Sequence, residues 1–128
     1  MSYYFSKTLP IAFDDAVQRT VDALKAEGFG IITEIDVKQT FKQKINVDFR
    51  NYRILGACNP ALAHEALQIE DKVGTMLPCN VVVQDVGQNR TEVAAIDPVA
   101  SMQAIDNVDL KRAAEKVRGK LKQVIDRL

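Results

Sequence analysis

"YRILGACNPALAHEALQI", residues 52–69, holds the change of period that decides the fold. Its first part, Tyr52–Ala57, mixes aromatic, aliphatic and small residues and reads as a strand. Asn59 and Pro60 end that run. Asparagine is a preferred helix N-cap. Proline at the first helical position costs nothing, because that N–H has no partner within the helix. Leu62, Ala63, Ala66, Leu67 and Ile69 then recur at helical spacing, so a helix with one apolar stripe runs to about Ile69.

The same alternation extends towards the N-terminus. "YYFSKT" (Tyr3–Thr8) reads as a strand, closed by Pro10. Phe13, Val17, Val21 and Leu24 make a helical stripe. Asp14 and Asp15 lie at its positive end, and Gly28 is placed to cap its C-terminus. "GIITEI" (Gly30–Ile35) is a second strand. Val37, Phe41 and Ile45 repeat every four residues and predict a short helix with a lysine-rich outer face of Lys38, Lys42 and Lys44.

Towards the C-terminus, Val73–Val86 reads as extended, with Pro78 at a bulge or edge position. Gly87–Asn89 make a turn, and Arg90–Ile96 pairs back as a hairpin. Asp97 and Pro98 open a short helix over "VASMQAI". From about Asp109 a last helix carries Leu110, Ala114, Val117, Leu121, Val124 and Leu128 on one side, with Gly119 on the other. The expected fold is a two-layer α+β domain. A mainly antiparallel sheet has helices on one face, and the terminal helix lies across it.

A chain of 128 residues is expected to form a single domain over residues 1–128. Seventeen basic residues balance seventeen acidic ones, so whole-molecule charge does not steer the chain to nucleic acid or a membrane. The mixed charges of the terminal helix suit a solvated face. No stretch approaches the roughly 20 apolar residues of a bilayer span. The first residues lack the pattern of a secretory signal, and two cysteines then suggest reduced thiols in a cytoplasm. Neither nucleic acid nor membrane is an expected partner.

Chemistry-bearing residues gather at two places. Cys58 directly precedes a helix start, where free N–H groups favour a thiolate or a bound anion. Free cysteine is equally a small buried hydrophobe, which fits "LGAC" as tight packing. His64 is the chain's one histidine. On the helical wheel it falls about 140° from the centre of the apolar stripe, on the polar side above Pro60. Cys58, His64 and Cys79 together offer three ligands for zinc, although their spacing is not a standard zinc pattern. Asn59 caps the helix. Asn80 points to the opposite face from Cys79, because neighbours on a strand alternate.

Cys79 reaches Cys58 only under one of two chain courses. A simple return to a parallel strand separates them by the length of the sheet, about 15 Å. If Val73–Leu77 climbs back first, Cys79 falls within a longer strand beside Cys58. The apolar run before Pro78 leans to this second course. No paired carboxylates, Ser-His-Asp set, phosphate loop or dinucleotide fingerprint is present.

The residues Tyr52, Leu55 to Pro60, Ala63, Leu67, Gly74, Leu77 to Asn80 and Val83, with the pair Asp97–Pro98, resemble a prokaryotic family catalogued as domain of unknown function 302. The resemblance covers nearly the whole chain. It implies a compact α+β sheet domain, similar to one copy of the TATA-binding-protein fold, that forms dimers. It implies no reaction and no DNA binding. The expected function is a small dimeric binding or sensing module for a metal ion or small anion near Cys58. Asn59, His64, Cys79 and Asn80 are the further candidate contributors. The alternatives are a thiol-redox enzyme using Cys58 and Cys79, and a structural or partner-binding dimer without chemistry.

Overall fold

Alternating apolar residues need a cover on one side only, and the chain provides it with a sheet and an overlying helix layer. The computed structural model describes residues 2–128. Strands β1 (Tyr4–Leu9), β2 (Gly30–Asp36), β3 (Tyr52–Cys58), β4 (Cys79–Gly87) and β5 (Arg90–Ile96) form one sheet in the order β1-β5-β4-β3-β2. Every neighbouring pair is antiparallel. Leu55 and Ala57, Val81 and Val83, and Val93 and Ala95 alternate onto one face and are fully buried there. Helices α1 (Phe13–Ala26) and α5 (Val108–Arg127) cover them, α1 over β4 and β5 and α5 over β5 and β1. Burying each of these valines and leucines contributes about 1.5–3 kcal/mol.

The α+β expectation holds, and the differences within it have local causes. In α1 the fully buried line is Ala16, Thr20 and Leu24, while Val17 and Val21 are half-buried at its flank. Small residues let the helix approach the sheet closely. The buried Thr20 hydroxyl is satisfied by donating to Ala16 O at 2.7 Å. Helix α2 (Val37–Ile45) forms over the expected residues. It is capped by Asp36 Oδ1, which accepts the Gln39 N–H at 3.0 Å, and it ends at Asn46 in the left-handed region at φ 54°. None of its residues is buried, and its Phe41 ring meets Phe49 edge-on at 5.1 Å.

Val73–Met76 is not extended. Asp71–Met76 form a 3₁₀ helix, begun by Glu70 Oε1 accepting the Lys72 N–H at 3.2 Å. Residues three apart eclipse in such a helix, so Val73 and Met76 share the inward side. The strand begins only after Pro78. "VASMQAI" is also shorter as a helix than expected. Helix α4 spans Pro98–Ser101, capped by Asp97 Oδ1 on the Val99 N–H at 3.0 Å, and the chain then turns. Helix α5 starts at Val108 behind its own cap, Asn107, whose Oδ1 accepts the Leu110 N–H at 3.1 Å. Arg118 on α5 reaches back to the buried Asp97 carboxylate at 3.1 Å, tying α5 to the start of α4.

Two apolar clusters result. The main one lies between the sheet and α1 and α5. A smaller one gathers Ala66, Val73, Met102, Leu110 and Ala114 beyond the end of the sheet. Helix α3 (Pro60–Ile69) belongs to this second cluster. It packs on α5 and the 3₁₀ helix rather than on the strands.

Candidate functional site

The chemistry-bearing residues converge where β3 ends, α3 begins and β4 begins. Neither chain course drawn from the sequence is the one taken. Helix α3 and the 3₁₀ helix fold over the same end of the sheet at which β3 finishes, so β4 starts there and runs antiparallel. Ala57 pairs with Cys79, and Cys58 is the next residue, paired with Gly30 on the other side. Offsetting an antiparallel pair by one residue puts the Cys58 and Cys79 Cα atoms about 6 Å apart. Both cysteines are free; Cys58 is half-buried and Cys79 is buried.

Local sequence explains how this corner closes. Asn59 Oδ1 accepts the Leu62 N–H at 3.2 Å and starts α3, with Pro60 at its first position. The amide nitrogen of Asn59 packs over Gly28, leaving only 3.1 Å to where a Cβ would stand. Gly28 also has φ +85°, so it ends α1 and makes room for the cap of α3. Gly56 faces the uncovered side of the sheet, where its missing Cβ makes way for the Thr33 hydroxyl and for the Pro78 ring. "GACNP" and "LPCN" therefore belong together physically: the proline of one fills the space left by the glycine of the other.

Above this corner lies a cavity of about 290 Å³, at the seam between the two apolar clusters. Ala57, Cys58 and Cys79 line it at the end of the sheet, and Leu62, Ala66 and Leu67 of α3 form one wall. Met102, Leu110 and Ala114 from the α4–α5 region form another. The apolar stripe expected on α3 is present but incompletely covered. Only Ala66 is buried, Leu62 and Ala63 are half-buried, and Leu67 is 40% exposed. The stripe faces the open cavity rather than the sheet. The lining carries no charged side chain, and Cys58, Asn59 and Cys79 bring its nitrogen, oxygen and thiol groups. Burial pushes the Cys79 thiol up to about 11, and the neighbouring Cys58 adds to the rise.

Cys58, Asn59 and Cys79 are thus brought together. His64 lies on the exposed side of α3, as the helical wheel indicates, and does not line the cavity. Asn80 is exposed on the other face of the sheet, opposite Gly56. Among the described residues no group of three or more His, Cys, Asp and Glu side chains could hold a metal ion. Sequence reasoning missed the contribution of Met102, Leu110 and Ala114, which come from 40 or more residues downstream. The one signal available was an apolar helix stripe with no strand assigned to cover it.

The family model for "Domain of unknown function DUF302" matches residues 5–128. The chain belongs to this family. The DUF302 chain is also similar to a solved structure, "Crystal structure of uncharacterized conserved protein DUF302 from Bacillus stearothermophilus", at 26% identity and a TM-score of 0.91. The match covers 99% of this chain and 98% of that one. A comparison with curated proteins finds no match. No helix among the described residues of this DUF302 chain is long and apolar enough to cross a membrane.

Proposed function

We propose that the chain is a small-molecule binding module, that it takes a neutral apolar ligand in the cavity beneath α3, and that it works as a homodimer. The carrying observation is the cavity at the seam of the two clusters, with an apolar helix stripe turned to it and no charge in its lining. Binding sites are typically concave and largely apolar, with a few polar groups that orient the ligand. This reading replaces the expected metal ion or small anion with an apolar molecule. Asn59 already takes one of the free N–H groups at the α3 terminus, and the walls supply no countercharge.

Fluorescence titration with the neutral probe N-phenyl-1-naphthylamine tests it. The expected result is saturable binding, lost in Ala63→Phe, which fills the cavity from its helical wall. Thermal unfolding of the variant checks that it still folds. Absence of saturable binding by the wild-type chain, or equal binding by a folded Ala63→Phe, overturns the reading.

A second reading is thiol redox chemistry at Cys58 and Cys79, whose backbones the register brings side by side. A Cα separation of about 6 Å lies within the range a disulfide bridges, and because the one-residue offset turns the two side chains to opposite faces, closure requires the end of β3 at Cys58 to twist. Hydrogen peroxide would take two protons and two electrons from the pair, giving the disulfide and two waters. Treatment with peroxide followed by counting of free thiols tests this. Joint loss of both thiols, absent in Cys58→Ser, supports it; retention of both counts against it.

A further inference from the structure

Resting on the pocket reading, we propose that the ligands of this cavity include apolar α,β-unsaturated carbonyl compounds, and that Cys58 captures them covalently. The lining offers no charge to pair with a charged ligand, and its thiols are those of Cys58 and Cys79. A soft electrophile on an apolar body matches both properties. The two thiols differ in access. Cys58 is half-buried at the cavity wall, whereas Cys79 is 7% exposed and its thiol stays protonated at neutral pH. Asn59 stands beside Cys58. Its Oδ1 is occupied by the Leu62 N–H and its amide nitrogen packs over Gly28, so the side chain is fixed at the edge of the cavity.

The step is an addition and balances without a co-reactant. The Cys58 Sγ bonds to the β-carbon of the unsaturated compound. The C=C electron pair moves towards the carbonyl oxygen, forming an enolate. The thiol proton ends on the α-carbon. Holding the apolar body in the cavity places the electrophilic carbon beside Sγ, which turns an encounter in solution into a reaction between neighbours.

Two maleimides of matched reactivity test this on the full chain, N-hexylmaleimide and N-methylmaleimide. Addition is followed by intact-mass spectrometry and located by peptide mapping. The ratio of the two rates is compared with the same ratio for glutathione. The expected result is a single adduct on Cys58 and a ratio at least about tenfold above that of glutathione, from burial of the extra methylenes. Ala63→Phe should lower the hexyl rate and leave the methyl rate unchanged, and Cys58→Ser should remove the adduct. A ratio equal to that of glutathione, or an adduct on Cys79 in place of Cys58, overturns the proposal. Binding of N-phenyl-1-naphthylamine, measured in parallel, separates the two failures. If the probe binds while the ratio stays at the glutathione value, capture fails and the pocket stands. If neither is seen, both fall.

Discussion

Gly56 and Cys79 face opposite sides of the sheet, and each does so for a reason that can be measured. A Cβ at Gly56 would stand 2.7 Å from Pro78 Cγ and would also overlap the Thr33 hydroxyl. Pro78 leads directly into β4, so relief there moves the strand that carries Cys79. Gly56→Ala should therefore lower stability by about 1–3 kcal/mol, the range for overpacking, in urea or guanidinium unfolding. Thr33→Ala in the same chain should return only part of the loss, because the proline remains. Cys79 gives a prediction with a defined pH window. Its thiol is raised from an ordinary 9.0 to about 11 by burial first and by the neighbouring Cys58 second. The unfolded chain begins to release this proton near pH 9, while the folded chain holds it to near pH 11. The contribution to stability is complete below about pH 9 and is lost as pH rises towards about 11, by up to about 2–3 kcal/mol. Lysine and tyrosine titrate in the same window, so the test is a comparison. The fall in unfolding free energy between these limits should be smaller in Cys79→Ala than in the wild-type chain, and equal falls would refute the assignment.

Helix α5 shows how an element read from periodicity can be improved without touching the core. Gly119 lies on its solvent side, and a Cβ there would meet nothing within 4 Å. Gly119→Ala should raise stability by about 1 kcal/mol through helix propensity alone. A rise in the denaturation midpoint with an unchanged denaturant slope would show a gain in stability without a change in the surface exposed on unfolding. The elements legible in the sequence were those whose caps and periods agree. Asn59–Pro60 and Asp97–Pro98 mark helix starts by side-chain acceptors and a fixed φ, and both caps form. The Gly87–Asn89 turn forms too, with Gln88 and Asn89 in the left-handed region at φ 57° and 55°. The segment Val73–Met76 was illegible because a 3₁₀ turn needs only one acceptor and two apolar residues three apart, a pattern that a short strand also tolerates. The stripe of α1 reaches the core as expected but was incomplete, because Ala16 and Thr20 are buried through small size and a local hydrogen bond, which an apolar count does not register. The candidate site was legible as far as Cys58 and Asn59, which lie at one strand–helix junction, and Cys79, which begins the neighbouring strand. Its cavity was not, because the opposite wall is supplied through the docking of α5.

At the scale of the whole molecule the two faces of the sheet divide the work. One carries the helices and, at its end, the cavity. Among the described residues, the other has no second layer over its centre. The strand register lines up Ile35, Ile54, Val82 and Ala94 across four neighbouring strands on that uncovered side. Ile35 is 47% exposed at one end of the row, and Tyr4, on the neighbouring row, is 42% exposed at the opposite edge. Thr33, Gly56 and Asn80 border the row on one side, and Tyr52, Gln84 and Glu92 border it on the other. An apolar line flanked by rows that carry Thr33, Asn80, Gln84 and Glu92 can meet its own copy across a two-fold axis, which is what an isologous dimer contact requires. The proposed homodimer therefore pairs through this face, leaving the cavities on the outer sides of the two copies. Val82 sits mid-row on the central strand, so Val82→Lys would place a charge against its own copy across the two-fold. The wild-type chain should sediment as a dimer and Val82→Lys as a folded monomer, with circular dichroism checking the fold. Because the cavity lies on the helix side, the monomeric variant should still bind N-phenyl-1-naphthylamine. A wild-type monomer, or a Val82→Lys chain that remains dimeric, would rule out this face as the contact. Loss of probe binding on dissociation would show instead that the partner helps to shape the cavity.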